Sequence, residues 1–329
     1  MEFVQICIFA EAKNFSAFMN ISGCATVVKH TGSHYLLTEL PEWNLFPAVI
    51  KGKLRLKDFN STNPVAVGDR VEYRRDASGA AVISAVMPRR NCIIRKSANL
   101  SRQAHVIAAN IDMTFLVVTV SMPQIKLPFV DRFLVTCQAY GVPVTLVINK
   151  MDLYNADETE MAGHLRNIYE KAGYRVLECS AVGGEGIWQL REMCKERIVL
   201  FSGQSGVGKS SLIKALDPSL DLKIGEISLS HRQGRHTTTF YQMHPLSGGG
   251  FLIDSPGIRG FGLVDFNKYE LSAYFPEMLK VEDNCRFVPC THTHEPGCAV
   301  KEALENGDIS AERYESYLGM LEEEGKYRI

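Results

Sequence analysis

No stretch of this 329-residue chain approaches the run of about 18 apolar residues that a membrane-spanning helix needs, so a helical span is not expected. Net charge is also missing. The 36 Lys and Arg against 37 Asp and Glu leave a formal charge of -1. Any attraction to nucleic acid or an anionic surface must therefore come from a local patch. The opening MEFVQICIFAEAKNFSAFMN is mildly hydrophobic but has no basic start and carries Glu2 and Glu11. No signal peptide is expected from it, and residues 1–23 read as an extension ahead of the first domain. Nine cysteines, an odd number without regular spacing, argue against a secreted disulfide framework and for a reducing compartment, the cytoplasm. Internal repeats and low-complexity segments are lacking too. What remains, 46% hydrophobic and 22% charged residues, is ordinary for a globular protein long enough for two or three domains.

Residues 24–104 contain short alternating segments: ATVVKHTGSHYLL, FPAVIKGKLRLK, DRVEYRR and AAVISAVM. Turns at Thr31-Gly32, Asn63-Pro64, Gly68-Asp69 and Ser78-Gly79 separate them. Such a series predicts a small β-barrel of the OB type. Over 105–268 the pattern changes to continuous apolar runs (TFLVVTV, VPVTLVIN, RVLECSA, RIVLFSG, GGFLIDS) alternating with helical stretches. That is the signature of a mostly parallel α/β sheet covered on both faces. Residues 269–329 turn helical, hold a cysteine group and end in a polar helix.

GQSGVGKS fits the G-x-x-x-x-G-K-[ST] phosphate loop, with Gly203, Gly208, Lys209 and Ser210 at the fixed positions and Gln204, Ser205, Gly206 and Val207 between them. Backbone N–H groups of this loop and of Ser211 can turn toward phosphate oxygens. Lys209 would neutralise the β- and γ-phosphates, and the Ser210 hydroxyl would ligate Mg2+. The blander reading is a glycine-rich turn, but an apolar strand leads into the loop and SSLIKAL, a helical pattern, leads out.

Asn149-Lys150-Met151-Asp152 ends the apolar run VTLVI. The Asp152 carboxylate can accept from the ring N–H and the exocyclic amine of guanine. Adenine offers no matching pair of donors, and an unpaired buried acceptor makes the discrimination large. Asn149 would brace neighbouring loops, and the Lys150 stem would lie over the base. Alone, N-K-x-D is a weak signal, since polar turns commonly follow strands. Cys179-Ser180-Ala181, after a second strand, supplies the loop that completes guanine recognition through a backbone N–H. Asp254-Ser255-Pro256-Gly257 fits D-x-x-G, which would hold Mg2+ through a water and meet the γ-phosphate at the Gly257 N–H. Between it and the phosphate loop lies Gly234-Arg235-His236-Thr237-Thr238-Thr239. A threonine there, Thr238 with Thr237 as its rival, would complete the magnesium shell.

The motif order is thus guanine loops, phosphate loop, threonine switch, D-x-x-G, whereas ordinary GTPases begin with the phosphate loop. Circular permutation reconciles the two orders on one three-dimensional site. The position after D-x-x-G, where many GTPases keep a water-orienting glutamine, is Ile258. Ile258 cannot hydrogen-bond water, which moves the catalytic expectation to His236; the alternative is an ordinary exposed loop histidine.

Cys285-x4-Cys290-x-His292-x5-Cys298 offers three thiolates and an imidazole, the set of a closed structural zinc site, with His294 as the substitute for His292. Pro289, Pro296 and Gly297 mark a tight loop with little room for a core. In the first domain Lys51, Lys53, Arg55 and Lys57 alternate with smaller or apolar residues. Period two puts the four charges on one strand face, either an RNA phosphate stripe or a solvated outer face.

Together, Gly68-Asp69, the linker RNCIIRKSANLSRQAHVIAANID, N-K-M-D, the phosphate loop, G-R-H-T-T-T, D-S-P-G and the terminal cysteine–histidine loop resemble the ribosome small-subunit-dependent GTPase A family, RsgA or YjeQ. The resemblance covers the chain from about residue 24. It implies a factor in late maturation of the small ribosomal subunit, bound to that particle and its rRNA and stimulated by it to hydrolyse GTP; separately, nothing in the sequence points to an obligate dimer, and a monomer is expected. It also implies a part for His236 in hydrolysis and zinc on Cys285, Cys290, His292 and Cys298. Two other readings compete: a metabolic GTP-dependent enzyme, and a nucleic-acid-binding module whose nucleotide site is merely structural.

Overall fold

The computed structural model describes residues 22–32, 34–50, 65–76, 78–96, 104–220, 241–254 and 267–326. Within them, strands with alternating burial come first. In β4 (Arg70–Arg75) Val71 and Tyr73 are buried while Arg70, Glu72 and Arg74 face out. With β1 (Ser22–Thr31), β2 (His34–Thr38), β3 (Phe46–Ile50) and β5 (Ala81–Val86) it closes a barrel of order β1-β2-β3-β5-β4 and back to β1. β3 and β5 run parallel and the other pairs antiparallel, the arrangement of an OB-fold. One face of every strand feeds a common interior of Val27, Leu37, Ala48, Val71, Tyr73 and Ile83.

A separate ladder, β6 (Cys92–Lys96) with β7 (Ala104–Ala109), follows the barrel and runs across residue 104. Buried polar groups fix this linker at both ends. Asp69, fully buried, takes a two-pronged ion pair from Arg89 at 2.7 Å. The Asn110 amide donates to the Gly68 carbonyl at 2.9 Å. Asn91 both donates to the Ile111 carbonyl and accepts its N–H, each at 2.8 Å. The bonds of Asn91 and Asn110 satisfy backbone groups that burial would otherwise leave unpaired at about 1–3 kcal/mol each.

The second unit contains β8 (Met113–Val118), α1 (Leu127–Ala139), β9 (Val144–Ile148), α2 (Ala156–Lys171), β10 (Arg175–Glu178), α3 (Ile187–Cys194), β11 (Ile198–Gly203), α4 (Lys209–Leu216), β12 (Gln242–Pro245) and β13 (Phe251–Asp254). Its strands lie in the order β10-β9-β8-β11-β13-β12. All neighbours are parallel except β12 against β13. The reason for continuous apolar runs is visible in β8. Leu116 and Val118 join the core under α1 and α2, while Phe115 and Val117 join the core under α3 and α4. β12, which the sequence pattern did not reveal, pairs on its outer edge with β1 through Gln242 and Lys29. The described strands of barrel and parallel sheet thereby form one continuous sheet. Trp43 of the barrel stacks on Phe251 at 5.5 Å beside that seam.

Three helices, α5 (Pro276–Leu279), α6 (Ala299–Glu305) and α7 (Ala311–Lys326), make the C-terminal region. The expectation of a loop with little room for a core is corrected here. Cys285 and Cys298 belong to an apolar cluster with Leu271, Phe275, Met278, Val300, Ile309, Tyr317 and Met320, closed by Val135 of α1. The region is fastened to the parallel sheet by Arg313. Its buried guanidinium bonds Glu277 at 2.7 Å and Asp131 of α1 at 2.8 Å, under the ring of Phe275.

Candidate nucleotide site and metal cluster

Parallel strands bring their C-terminal ends to one edge, and the loops there form the crevice in which α/β sheets bind ligands. β11 opens into the phosphate loop, which turns back into α4. Gly203 and Gly208 have φ of 142° and 90°, which strains any residue with a side chain. A Cβ at Gly203 would strike the Val117 carbonyl of β8, and one at Gly208 the Asn149 side chain. The glycines therefore permit close packing as well as the turn. Val207 is buried, while Ser205, Gly206, Ser210 and Ser211 are exposed on the open side. The Lys209 ammonium folds over the loop, donating to the Gly203 carbonyl at 2.9 Å and the Gln204 carbonyl at 2.7 Å. The first turn of α4 directs its N–H groups to the same place, a favourable setting for phosphate.

Asn149 is buried and ties this loop to the neighbouring one. Its amide donates to the Val207 carbonyl at 2.8 Å, and its own N–H donates to the Val118 carbonyl of β8 at 2.9 Å. Lys150 adopts a left-handed conformation, φ 70°, and its ammonium reaches the Met122 carbonyl at 2.6 Å. The Met151 N–H donates to the Cys179 carbonyl at 3.2 Å, so N-K-M-D rests directly on the loop after β10. From that loop the buried Ser180 hydroxyl donates to Asp152 at 2.5 Å while accepting the Gly183 N–H at 2.6 Å. Ser180 thus aims the exposed Asp152 carboxylate, and Ala181 follows at the rim. The structure brings together Asn149, Lys150, Met151, Asp152, Ser180, Ala181 and the phosphate loop. It adds Tyr154, which no motif marks.

β13 lies beside β11 in parallel register and ends at Asp254, whose backbone pairs with Gln242. This puts Asp254, the first residue of D-x-x-G, at the same sheet edge as Gly203. The Asp254 side chain lies outside the described residues, as do Gly257, Ile258 and the Gly234–Thr239 segment with His236, Thr237 and Thr238. The stripe Lys51, Lys53, Arg55 and Lys57 lies outside them too.

In the C-terminal region the thiols of Cys285, Cys290 and Cys298 and a ring nitrogen of His292 lie within 4.8 Å of one another. The His292 Nδ1 is 3.6 Å from the Cys285 sulfur and 3.4 Å from the Cys298 sulfur, and those sulfurs are 4.0 Å apart. A tetrahedral ion bound by sulfur near 2.3 Å and nitrogen near 2.0–2.1 Å separates its ligand atoms by about 3.5–3.8 Å. The donor set and spacing fit such an ion. The other ring nitrogen of His292 faces Glu282 at 3.8 Å, as metal-bound imidazoles commonly do. Helix α7 holds the ligand loop: Tyr314 donates to the His292 carbonyl at 2.6 Å and Tyr317 to that of Thr291 at 2.8 Å. His294 is exposed and bonds Thr293 instead, so of the two histidines it is His292 that lies with the thiols.

A parallel sheet with guanine and phosphate loops at one edge, met by the chain in permuted order between an OB barrel and a Cys3His region, defines a circularly permuted P-loop GTPase, an enzyme that hydrolyses GTP. The family model described as RsgA GTPase matches residues 86–264, and the chain belongs to that family. It is 50% identical over 304 residues to the small ribosomal subunit biogenesis GTPase RsgA of Bacteroides fragilis, covering 92% of this chain and 98% of that one. The protein of the same name from Flavobacterium psychrophilum is 48% identical over 299 residues, 90% of this chain and 91% of that one. Among solved structures, YjeQ from Thermotoga maritima superposes with a TM-score of 0.74 at 35% identity, covering 92% and 98% of the two chains. YloQ, described as a circularly permuted GTPase, gives 0.70 at 25% identity, covering 94% and 96%.

Proposed function

We propose that this GTPase binds the immature small ribosomal subunit in its GTP form, assists late maturation, and leaves after hydrolysis to GDP and phosphate. The observation that carries the reading is the guanine and phosphate site set in one sheet with the barrel, together with 50% identity to a GTPase named for small-subunit biogenesis. The barrel, 24–104, would contact rRNA through Lys51, Lys53, Arg55 and Lys57. The GTPase domain, 105–268, would bind GTP through Asn149, Lys150, Met151, Asp152, Ser180, Ala181, the loop from Gly203 to Ser211, Asp254 and Gly257. Ser210 and Thr238 would hold Mg2+, which neutralises phosphate charge when bound. His236 would orient the attacking water, a role that Ile258 cannot fill. The region 269–329 would hold one structural Zn2+ on Cys285, Cys290, His292 and Cys298. The protein would act as a monomer in the cytoplasm. No helix among the described residues is long and apolar enough to cross a membrane.

GTP turnover measured with and without purified small subunits tests the reading. Strong stimulation supports it, high activity independent of ribosomes supports a metabolic enzyme, and no activity in either condition supports a merely structural nucleotide site.

A further inference from the structure

The segment leaving β8 and the segment leaving β9 are joined at three points. The Lys150 ammonium donates to the Met122 carbonyl. Glu158, which caps α2, also takes the Ser121 hydroxyl, and that bond is the main reason its carboxyl sits below the usual range. Between these lies Tyr154, half-buried, its ring packed against the main core. Its hydroxyl accepts the Val120 N–H at 2.8 Å and donates to the Asn149 carbonyl at 2.7 Å, so both its hydrogen-bonding roles are used.

We infer that Tyr154 is a positioning residue for guanine selectivity, clamping the Asn149–Lys150 peptide and through it the direction of Asp152. The Asn149 backbone is held on both sides, its N–H by Val118 and its carbonyl by Tyr154. The next residue, Lys150, is left-handed, and rotation of the peptide before it would swing Met151 and Asp152 away from the Ser180 loop. Asp152 is exposed, so its approach to a base is fixed by this peptide, by Ser180 and by the neighbouring Met151 N–H on the Cys179 carbonyl. Selectivity needs both carboxylate oxygens aligned with two donors, the ring N–H and the exocyclic amine, and is therefore more sensitive to tilt than binding itself. The inference rests on the site's taking guanine nucleotides.

Tyr154→Phe keeps the ring and removes only the clamp. Affinities of the full-length protein for GDP and for IDP, whose base lacks the exocyclic amine, give the readout. GDP affinity should fall about tenfold and IDP affinity about two- to threefold, narrowing the preference for guanine. KM for GTP should rise while kcat at saturation stays within about twofold. In an Asp152→Asn background Tyr154→Phe should leave the GDP/IDP ratio unchanged, because the group it positions is gone. Unchanged affinities would overturn the inference, as would equal losses for both nucleotides accompanied by a lower melting temperature, the mark of a purely structural residue. A wild-type protein that binds neither nucleotide would overturn the guanine-site reading and this inference with it.

Discussion

At the scale of single residues, the nucleotide site depends on side chains whose roles follow from counting donors and acceptors. Asp152 offers two acceptors and takes its orientation from Ser180. Asp152→Asn replaces one acceptor by a donor. GTP affinity should therefore fall by about 100-fold or more. Affinity for xanthosine triphosphate, whose base has a carbonyl in place of the amine, should rise; nucleotide titration of the variant checks both. Ile258 stands where a water-orienting glutamine is common, and its side chain cannot hydrogen-bond water. His236→Ala should keep GTP affinity within about twofold yet lose about 100-fold or more in turnover. Unchanged single-turnover kinetics would remove His236 from the mechanism. Asn149 acts differently, as a brace, because its amide spends a hydrogen bond on the Val207 carbonyl.

Among the elements, α1 and α7 meet through a buried charge that sequence periodicity does not announce. Arg313 is held between Asp131 and Glu277, and Tyr169 donates to the same Asp131 oxygen. Burial pushes the Asp131 carboxyl up against the opposing pull of Arg313, while the two carboxylates favour the guanidinium cation. Removing the cation strands two carboxylates away from water. Arg313→Met should therefore destabilise by about 3–5 kcal/mol, seen as a lower denaturation midpoint. The sign of the pH effect follows. In the variant the Asp131 carboxyl, already pushed up by burial, loses the pull of Arg313 and stays above its unfolded value, so the folded chain binds more protons and the loss relaxes as pH falls from neutrality toward 5. A deficit that grows on acidification would show that the carboxyls are not what the missing charge exposes. Strand β12 is the other joint, shared between the parallel sheet and the barrel.

Across the whole molecule, the permuted order places the cysteine–histidine cluster after the nucleotide loops in the chain. The chain passes from the guanine loops through the phosphate loop to β13, and on into the region that carries Cys285, Cys290, His292 and Cys298. Elemental analysis should find about one zinc per chain. Chelation should unfold the C-terminal region, since binding free energy at such sites is about 10–16 kcal/mol and doubles as folding free energy. GDP binding should survive, because its loops rise from the parallel sheet and not from the cysteine loop. Loss of GDP binding with the metal would mean that the two units fold as one.

Motifs made much of this legible. The phosphate loop and N-K-M-D each keep fixed residue types at fixed spacing, because a phosphate or a base must be met by backbone turns only those residues permit. Apolar runs marked the strands buried on both faces, and period-two burial in Arg70–Arg75 marked the barrel. Spacing put His292 ahead of His294 without saying how either ring is held. A left-handed backbone at His292 and two tyrosines on α7 hold its ring beside the thiols. Likewise Tyr154, Arg313 and β12 have no local pattern: a hydroxyl between two loops, a cation 182 residues from its partner and a four-residue strand gain meaning only from what lies across the fold. Sequence alone therefore determined the chemistry offered to the nucleotide and the order in which the chain presents it. Tertiary structure decided how those groups are aimed and how the three regions are joined, because aim and joining depend on contacts between residues far apart in the chain.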